Sequence, residues 1–174
     1  MRIAISGSHQ VGKTTLAESL ANALPGYVLV PEPYYLLLEE GNDFAEMPTV
    51  EDFELQLERS IRCIRESGSD VIFDRCPLDM IGYLTSHRDM EMFHIGDWLP
   101  DVREAVATLD LIAFIPVEVP DRIDVPPSER QFRADVDEAL WDIIADDIYG
   151  LGMDVISVAG APADRLRRIL THVT

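Results

Sequence analysis

Lysine occurs once in these 174 residues, at position 13, whereas arginine occurs thirteen times. A chain with a single lysine near its start has no downstream Asn-Lys-x-Asp base-reading motif, which disfavours a GTP-binding switch. Cysteine is equally scarce. Cys63 and Cys76 are too few for a disulfide framework and stand in no metal-ligand spacing such as CxxC, so a reducing cytoplasm suits them. Long apolar runs are missing: no stretch approaches the ~20 residues of a membrane span. The chain opens on a short apolar run with no leader-like apolar region, so neither secretion nor a membrane partner is expected. Positive charge is short as well. A formal net charge of −18 and a pI of about 4.3 repel polyanions, which argues against a nucleic-acid polymer as partner. The same acidity is equally well read as a solubility feature.

Repeats, low-complexity tracts and linkers are also absent. With 47% hydrophobic residues, residues 1–174 are expected to form one domain around one core.

The most informative stretch is the first fifteen residues. Ile3-Ala4-Ile5 leads into Gly7-Ser8-His9-Gln10-Val11-Gly12-Lys13-Thr14-Thr15 and then an apolar helix-like segment. This is the strand, glycine loop and helix of a Walker A P-loop. Gly7 and Gly12 let the backbone curl with its N–H groups inward, and the helix beginning near Lys13 adds its positive end to the same anion site. The cofactors expected there are ATP and Mg²⁺, with Lys13 on the β/γ-phosphates and Thr14 as a metal ligand. The only lysine thus falls where a compact ammonium is needed and a planar guanidinium is not. His9 is expected to contribute mainly its backbone.

The rest of the chain alternates strand and helix patterns. Leu16, Leu20 and Ala23 mark a helix that Pro25-Gly26 stops; Tyr27–Val30 reads as a buried parallel strand ending at Glu32 and Pro33. A short helix over Tyr34–Glu40 precedes one that starts at Thr49 with Asp52 and buries Phe53, Leu57, Ile61 and Ile64. These two helices either overhang a second substrate or simply pack on the sheet. Asp70–Asp74 is an apolar run ending in a carboxylate, the Walker B position, from which Asp74 can hold the metal or accept a proton. Arg75 follows, able to clamp a phosphoryl group or to pair with Glu32 or Asp79. Cys76 reads as a small helix-start residue, with Pro77 in the first turn.

Helix, loop and a second helix from about Asp97 to Thr108 come next, and Asp110–Ile115 reads as a fourth strand. Prolines 116, 120, 126 and 127 then interrupt all periodicity, and residues 117–131 are expected to be a lid. Arg122, Arg130 and Arg133 populate it and the following helix. They either close on the phosphates or form surface ion pairs. Phe132, Val136, Leu140, Ile143 and Ile148 form one helix stripe. Asp154–Val158 is a fifth strand, followed by Gly160 and a last helix with Leu166, Ile169 and Leu170 inside and Arg165, Arg167 and Arg168 outside.

Five alternating strands predict a doubly wound, mostly parallel α/β sandwich. Walker A, the Asp74-Arg75 strand end, the arginine-bearing lid and the Gly160 turn together resemble small P-loop kinases of the nucleoside and nucleoside monophosphate type. More narrowly, Arg2–His9 and Asp74-Arg75-Cys76-Pro77-Leu78-Asp79 resemble the AAA-type ATPase/kinase domain of ribosylnicotinamide kinases. The resemblance implies a five-stranded sheet in the order 2-3-1-4-5, with Asp74 beside the P-loop and Gly160 bordering the adenine. It implies transfer of the ATP γ-phosphoryl group to a small-molecule acceptor such as a nucleoside or nucleotide. Lys13, Asp74, Arg75, Arg130 and Arg133 would be catalytic, and Glu32, Arg75 and Asp79 would touch the acceptor. Glu32-Pro33 is also similar to the Glu-Pro of deoxynucleoside kinases, which leaves two candidates for the base, Asp74 and Glu32. The competing class is an ATP-binding regulatory module without a metabolite acceptor.

Overall fold

The computed structural model describes residues 1–121 and 123–173; Arg122, assigned to the lid from sequence, lies outside them. Five parallel strands, β1 (Arg2–Ser6), β2 (Val28–Val30), β3 (Val71–Asp74), β4 (Leu111–Phe114) and β5 (Val155–Ser157), form one sheet in the order β2-β3-β1-β4-β5. The order is the predicted one. Strand β1 lies in the middle, with Ile5 opposite Asp74 on β3 and Ser6 opposite Phe114 on β4. The carboxyl ends of β1 and β3 therefore finish side by side, which places whatever follows each strand at one crest.

Among the described residues, seven α-helices cover the two faces: α1 (Lys13–Ala23), α2 (Pro33–Glu39), α3 (Val50–Glu66), α4 (Pro77–Ser86), α5 (Ile95–Val106), α6 (Pro127–Leu140) and α7 (Pro162–Val173). Because strands β1, β3 and β4 are buried on both sides, alternate residues feed two cores. Ala4, Phe73, Ile112 and Phe114 pack under α3, α4, α5 and α6, while Ile3, Ile5, Ile72 and Ala113 pack under α1 and α7. That explains their unbroken apolar sequences. Helix α3 starts as predicted. Thr49 N–H donates to Asp52 Oδ2 at 2.8 Å and Asp52 N–H returns to Thr49 Oγ1 at 3.2 Å, a reciprocal cap.

Several boundaries depart from expectation for physical reasons. Strand β2 is an edge strand, paired only to β3, so Val28 is 61% exposed where a fully buried strand was predicted. The helix expected from Asp97 begins at Ile95 and runs through Pro100. The irregular stretch after β4 ends at Pro126, because Pro127 opens α6; Glu129 and Arg130 thus sit on a helix, not in a loop. Beyond Leu140 the helix widens into a π-helical segment, Trp141–Ala145, and its apolar stripe ends there. Ile148, placed on that stripe by periodicity, lies past the helix and is exposed. Among the described residues no helix is long and apolar enough to cross a membrane.

Candidate active site

The loop between β1 and α1 is shaped by positions that favour glycine. Gly7 has φ +149°, and a Cβ there would lie 2.5 Å from the Ile115 carbonyl oxygen, inside the van der Waals limit. Gly12, at φ +89°, caps the start of α1, and Gln10 takes a left-handed φ of 55°. Alternating backbone handedness of this kind turns successive amides into one concavity. Lys13 is buried, and its Nζ donates to the Ser8 carbonyl at 2.5 Å. Burial, then the nearby Arg75 guanidinium, lowers its pKa to about 7 against the opposite pull of Asp79, Glu32 and Asp74. An anion placed in the concavity would restore the ammonium. Thr14 and Thr15 sit exposed in the first turn of α1.

From the end of β3, Asp74 reaches back to this turn. The Thr14 hydroxyl donates to Asp74 Oδ2 at 2.6 Å, while Asp74 Oδ1 is buried with no hydrogen-bond partner. Burial raises the Asp74 pKa, with the Thr14 bond and Lys13 acting the other way. An orphaned carboxylate oxygen beside a hydroxyl is a donor set that fits a hard divalent cation bridging phosphates.

Arg75 links the phosphate loop to the neighbouring strand end. Its Nε donates to Glu32 Oε1 at 2.6 Å, Nη1 lies 3.6 Å from Asp79 Oδ1, and Nη1 also reaches the Gly7 carbonyl at 3.4 Å. The guanidinium lies over the Tyr83 ring, 5.2 Å from its centre. Its backbone is held at φ +83°, a costly value for a non-glycine residue. The ion-pair alternative for Arg75 is realised with Glu32 and Asp79, and the residue also borders a cavity. Asp79 is fully buried: Oδ1 accepts the Gly7 N–H at 3.0 Å and Oδ2 the Cys76 N–H at 2.9 Å. It braces the loop from beneath. Cys76 is buried at the head of α4, and burial keeps its thiol protonated, as expected of a helix-start residue.

The other predicted basic residues divide. Arg133 is buried and donates through Nε to the His9 carbonyl at 2.9 Å, through Nη2 to the Gln10 carbonyl at 3.1 Å, and through Nη1 to Asp121. Arg130 instead turns from α6 to the Val125 carbonyl at 2.9 Å and to the exposed Asp124. The Gly160 N–H is taken by Glu118, and its carbonyl accepts Arg165 Nε at 3.0 Å. Arg165 corrects the sequence reading: predicted to point outward, it is buried, and its Nη1 donates to the Val11 carbonyl at 2.6 Å. A signal was present. Arg165 precedes Ile169 by four residues and Arg133 precedes Val136 by three, so both fall on the apolar side of their helices.

A cavity of about 910 Å³ opens beside the loop, bounded by His9, Glu32, Arg75 and the inner faces of α3, α4 and α6. Its aromatic lining is continuous. Phe53 and Tyr83 stack with ring centres 5.1 Å apart and planes 13° apart, and His9 lies 6.0 Å from Tyr83 and 6.2 Å from Phe132. Gln56, nearly fully buried, adds a single amide to this wall. His9 therefore contributes a side chain here, not backbone alone. Burial and the positive charges of Lys13, Arg75 and Arg133 lower its pKa to about 4, so the imidazole is neutral at ordinary pH. Sequence periodicity had assigned Phe53 to the core and left Tyr83 and Gln56 without a role.

A glycine cradle at the end of the middle strand, flanked by a carboxylate on the next strand, defines a P-loop protein of kinase-like fold. The chain belongs to the AAA domain family, which matches residues 2–165. A comparison with curated protein sequences finds no match. The fold is similar to that of deoxyadenosine kinase from M. mycoides, solved with bound dATP: TM-score 0.68, 16% identity, 99% of each chain covered. It is also similar to NadR protein in complex with NR, at TM-score 0.66 and 18% identity. That match takes in 98% of this chain and 49% of NadR, so the present chain spans about half of the NadR length.

Proposed function

We infer that this protein is a Mg²⁺-dependent kinase that transfers the γ-phosphoryl group of ATP to a hydroxyl of a nucleoside-like acceptor. The observation that carries this reading is a shared wall: His9 of the phosphate loop, Glu32 and Arg75 all line the 910 Å³ cavity. An acceptor in the cavity would have its hydroxyl next to the place where a γ-phosphate ends. The flat Phe53–Tyr83 stack suits a planar heterocycle, and the Gln56 amide offers it a donor and an acceptor. The bound dATP and NR of the fold neighbours fit an acceptor of this size and flatness.

In this reading Lys13 and the loop amides hold the phosphates, and Thr14 with Asp74 would hold Mg²⁺, which would supply positive charge against that of the phosphates. Asp74 turns to Thr14 and is not part of the cavity wall, whereas Glu32 is, so Glu32 is the better placed base. The acceptor O–H proton passes to Glu32, the oxygen bonds to the γ-phosphorus, and the bond to the β-phosphate oxygen breaks to release ADP. Arg75 holds the Glu32 carboxylate in place through their 2.6 Å ion pair. A cytoplasmic setting supplies both ATP and Mg²⁺.

The test is ATP consumption against a panel of ribonucleosides, deoxynucleosides and their monophosphates. At least one acceptor should raise turnover far above the water-only rate, and Glu32→Gln should abolish that gain while ATP still binds. A flat panel across nucleosides and nucleotides would instead favour an ATP-binding regulatory module.

A further inference from the structure

Two arginines outside the Walker A motif hold its carbonyls. From α6, Arg133 takes the carbonyls of His9 and Gln10; from α7, Arg165 takes that of Val11. Both side chains are at least nine-tenths buried, and each is anchored at its far side by a carboxylate, Asp121 for Arg133 and Glu118 for Arg165. The three carbonyls are consecutive. They belong to the peptides that join residues 9 to 10, 10 to 11 and 11 to 12.

A trans peptide is planar, with its C=O and N–H pointing in opposite directions. Fixing the His9 carbonyl therefore fixes the Gln10 N–H, fixing the Gln10 carbonyl fixes the Val11 N–H, and fixing the Val11 carbonyl fixes the Gly12 N–H. Each of those three amides therefore points away from the guanidinium that holds the carbonyl of the same peptide. This removes the freedom that a loop with Gly12 at φ +89° and Gln10 at φ 55° would otherwise have. A charged donor on a carbonyl also draws electron density through the peptide and makes the N–H on its other edge a stronger donor.

We propose that Arg133 and Arg165 are positioning residues for phosphate binding, which aim and polarise the Gln10, Val11 and Gly12 amides from behind the loop. They touch carbonyls, not the ligand, so their effect is exerted through the main chain. The partition is specific: Arg165 governs the Gly12 amide alone, and Arg133 governs those of Gln10 and Val11. The inference rests on the reading of this loop as a triphosphate site.

The experiment compares wild type with Arg165→Gln, Arg165→Lys, Arg133→Gln and, as a control, Arg167→Gln, whose side chain is 72% exposed on α7. Affinity for inorganic tripolyphosphate and for ATP with Mg²⁺ is measured by calorimetry, and the loop amides are followed by ¹H–¹⁵N spectroscopy. Loss of a charge-assisted contact to a binding loop should weaken both anions by about tenfold. Arg165→Gln should move the Gly12 amide proton upfield and Arg133→Gln those of Gln10 and Val11, while Arg167→Gln changes neither. Arg165→Lys, with one point donor, should recover part of the affinity and, if the Gln variant does not fold, carries the same spectral test.

A wild type that binds neither anion would overturn the phosphate-site reading itself. A wild type that binds both, with variants that only melt earlier and bind equally well below their melting point, would leave that reading standing and overturn the positioning role. So would amide shifts spread through α7 with Gly12 unmoved.

Discussion

The Thr14 hydroxyl and the Asp74 carboxylate meet at 2.6 Å, although 60 residues separate them, because parallel pairing sets Ile5 opposite Asp74 and ends β1 and β3 at the same height. One Asp74 oxygen is spent on this bond and the other is buried with no partner. Asp74→Asn keeps the shape and removes the charge. It is expected to lower turnover by roughly a hundredfold or more, with a smaller change in ATP affinity, since the charge matters most when the γ-phosphoryl group moves. Steady-state kinetics over a Mg²⁺ titration checks this, and an unchanged kcat at saturating Mg²⁺ would remove Asp74 from the chemistry.

Gly7 is held between its own backbone geometry and the Ile115 carbonyl. Gly7→Ala should cost about 2 kcal/mol or more, because a Cβ there meets a backbone atom that cannot step aside. Gly12→Ala meets nothing nearer than Arg165 Nη1 at 3.5 Å and adds only the strain of its positive φ. Thermal denaturation of the two variants should rank Gly7→Ala as clearly the less stable.

His9 gives a pH signature. Its pKa in the fold is about 4, below the 6.5 of an ordinary histidine, with burial the largest cause. The unfolded chain therefore takes up a proton between pH 6.5 and 4 that the folded chain refuses, and the His9 contribution to stability is lost as pH falls through that window. His9→Gln should flatten the melting-temperature profile between pH 6.5 and 4. In spectra of the wild type, the His9 ring signals should not titrate above pH 5; a midpoint near 6.5 would contradict the packed, neutral imidazole.

Phe53 and Tyr83 form the flat part of the cavity wall. Replacing Phe53 by Leu preserves much of the apolar volume and removes the ring, so it should raise the acceptor KM several-fold and leave the KM for ATP unchanged. Equal effects on both constants would mean that the stack supports the fold and not the acceptor.

Much of the architecture was legible because it rests on local chemistry. The glycines and the lysine of the phosphate loop, the apolar run closing on Asp74 and the Thr49–Asp52 cap each carry their structural reason within a few residues. The cavity beside the loop was not legible. Phe53, Tyr83 and Phe132 lie on helix stripes that look the same whether they meet other side chains or a ligand, and only the spacing of α3, α4 and α6 around the cavity separates the two cases. Arg165 was obscured differently: its charge suggested the surface, although its helical phase put it inside, and Arg133, with closure on the phosphates and a surface ion pair as its alternatives, holds loop carbonyls. Asp79, expected at the acceptor, accepts the Cys76 N–H from the turn after β3 and the Gly7 N–H from the loop after β1, the latter a pairing across 72 residues that no local pattern reveals.

The central claim is that the loop from Gly7 to Thr15 grips a nucleoside triphosphate with Lys13 completing the grip. Calorimetric titration of ATP with Mg²⁺ into wild type and Lys13→Ala tests it most directly. The account predicts one saturable site per chain in the wild type and its loss in the variant with the fold intact. Absence of binding by the wild type, or equal binding by both proteins, would contradict it.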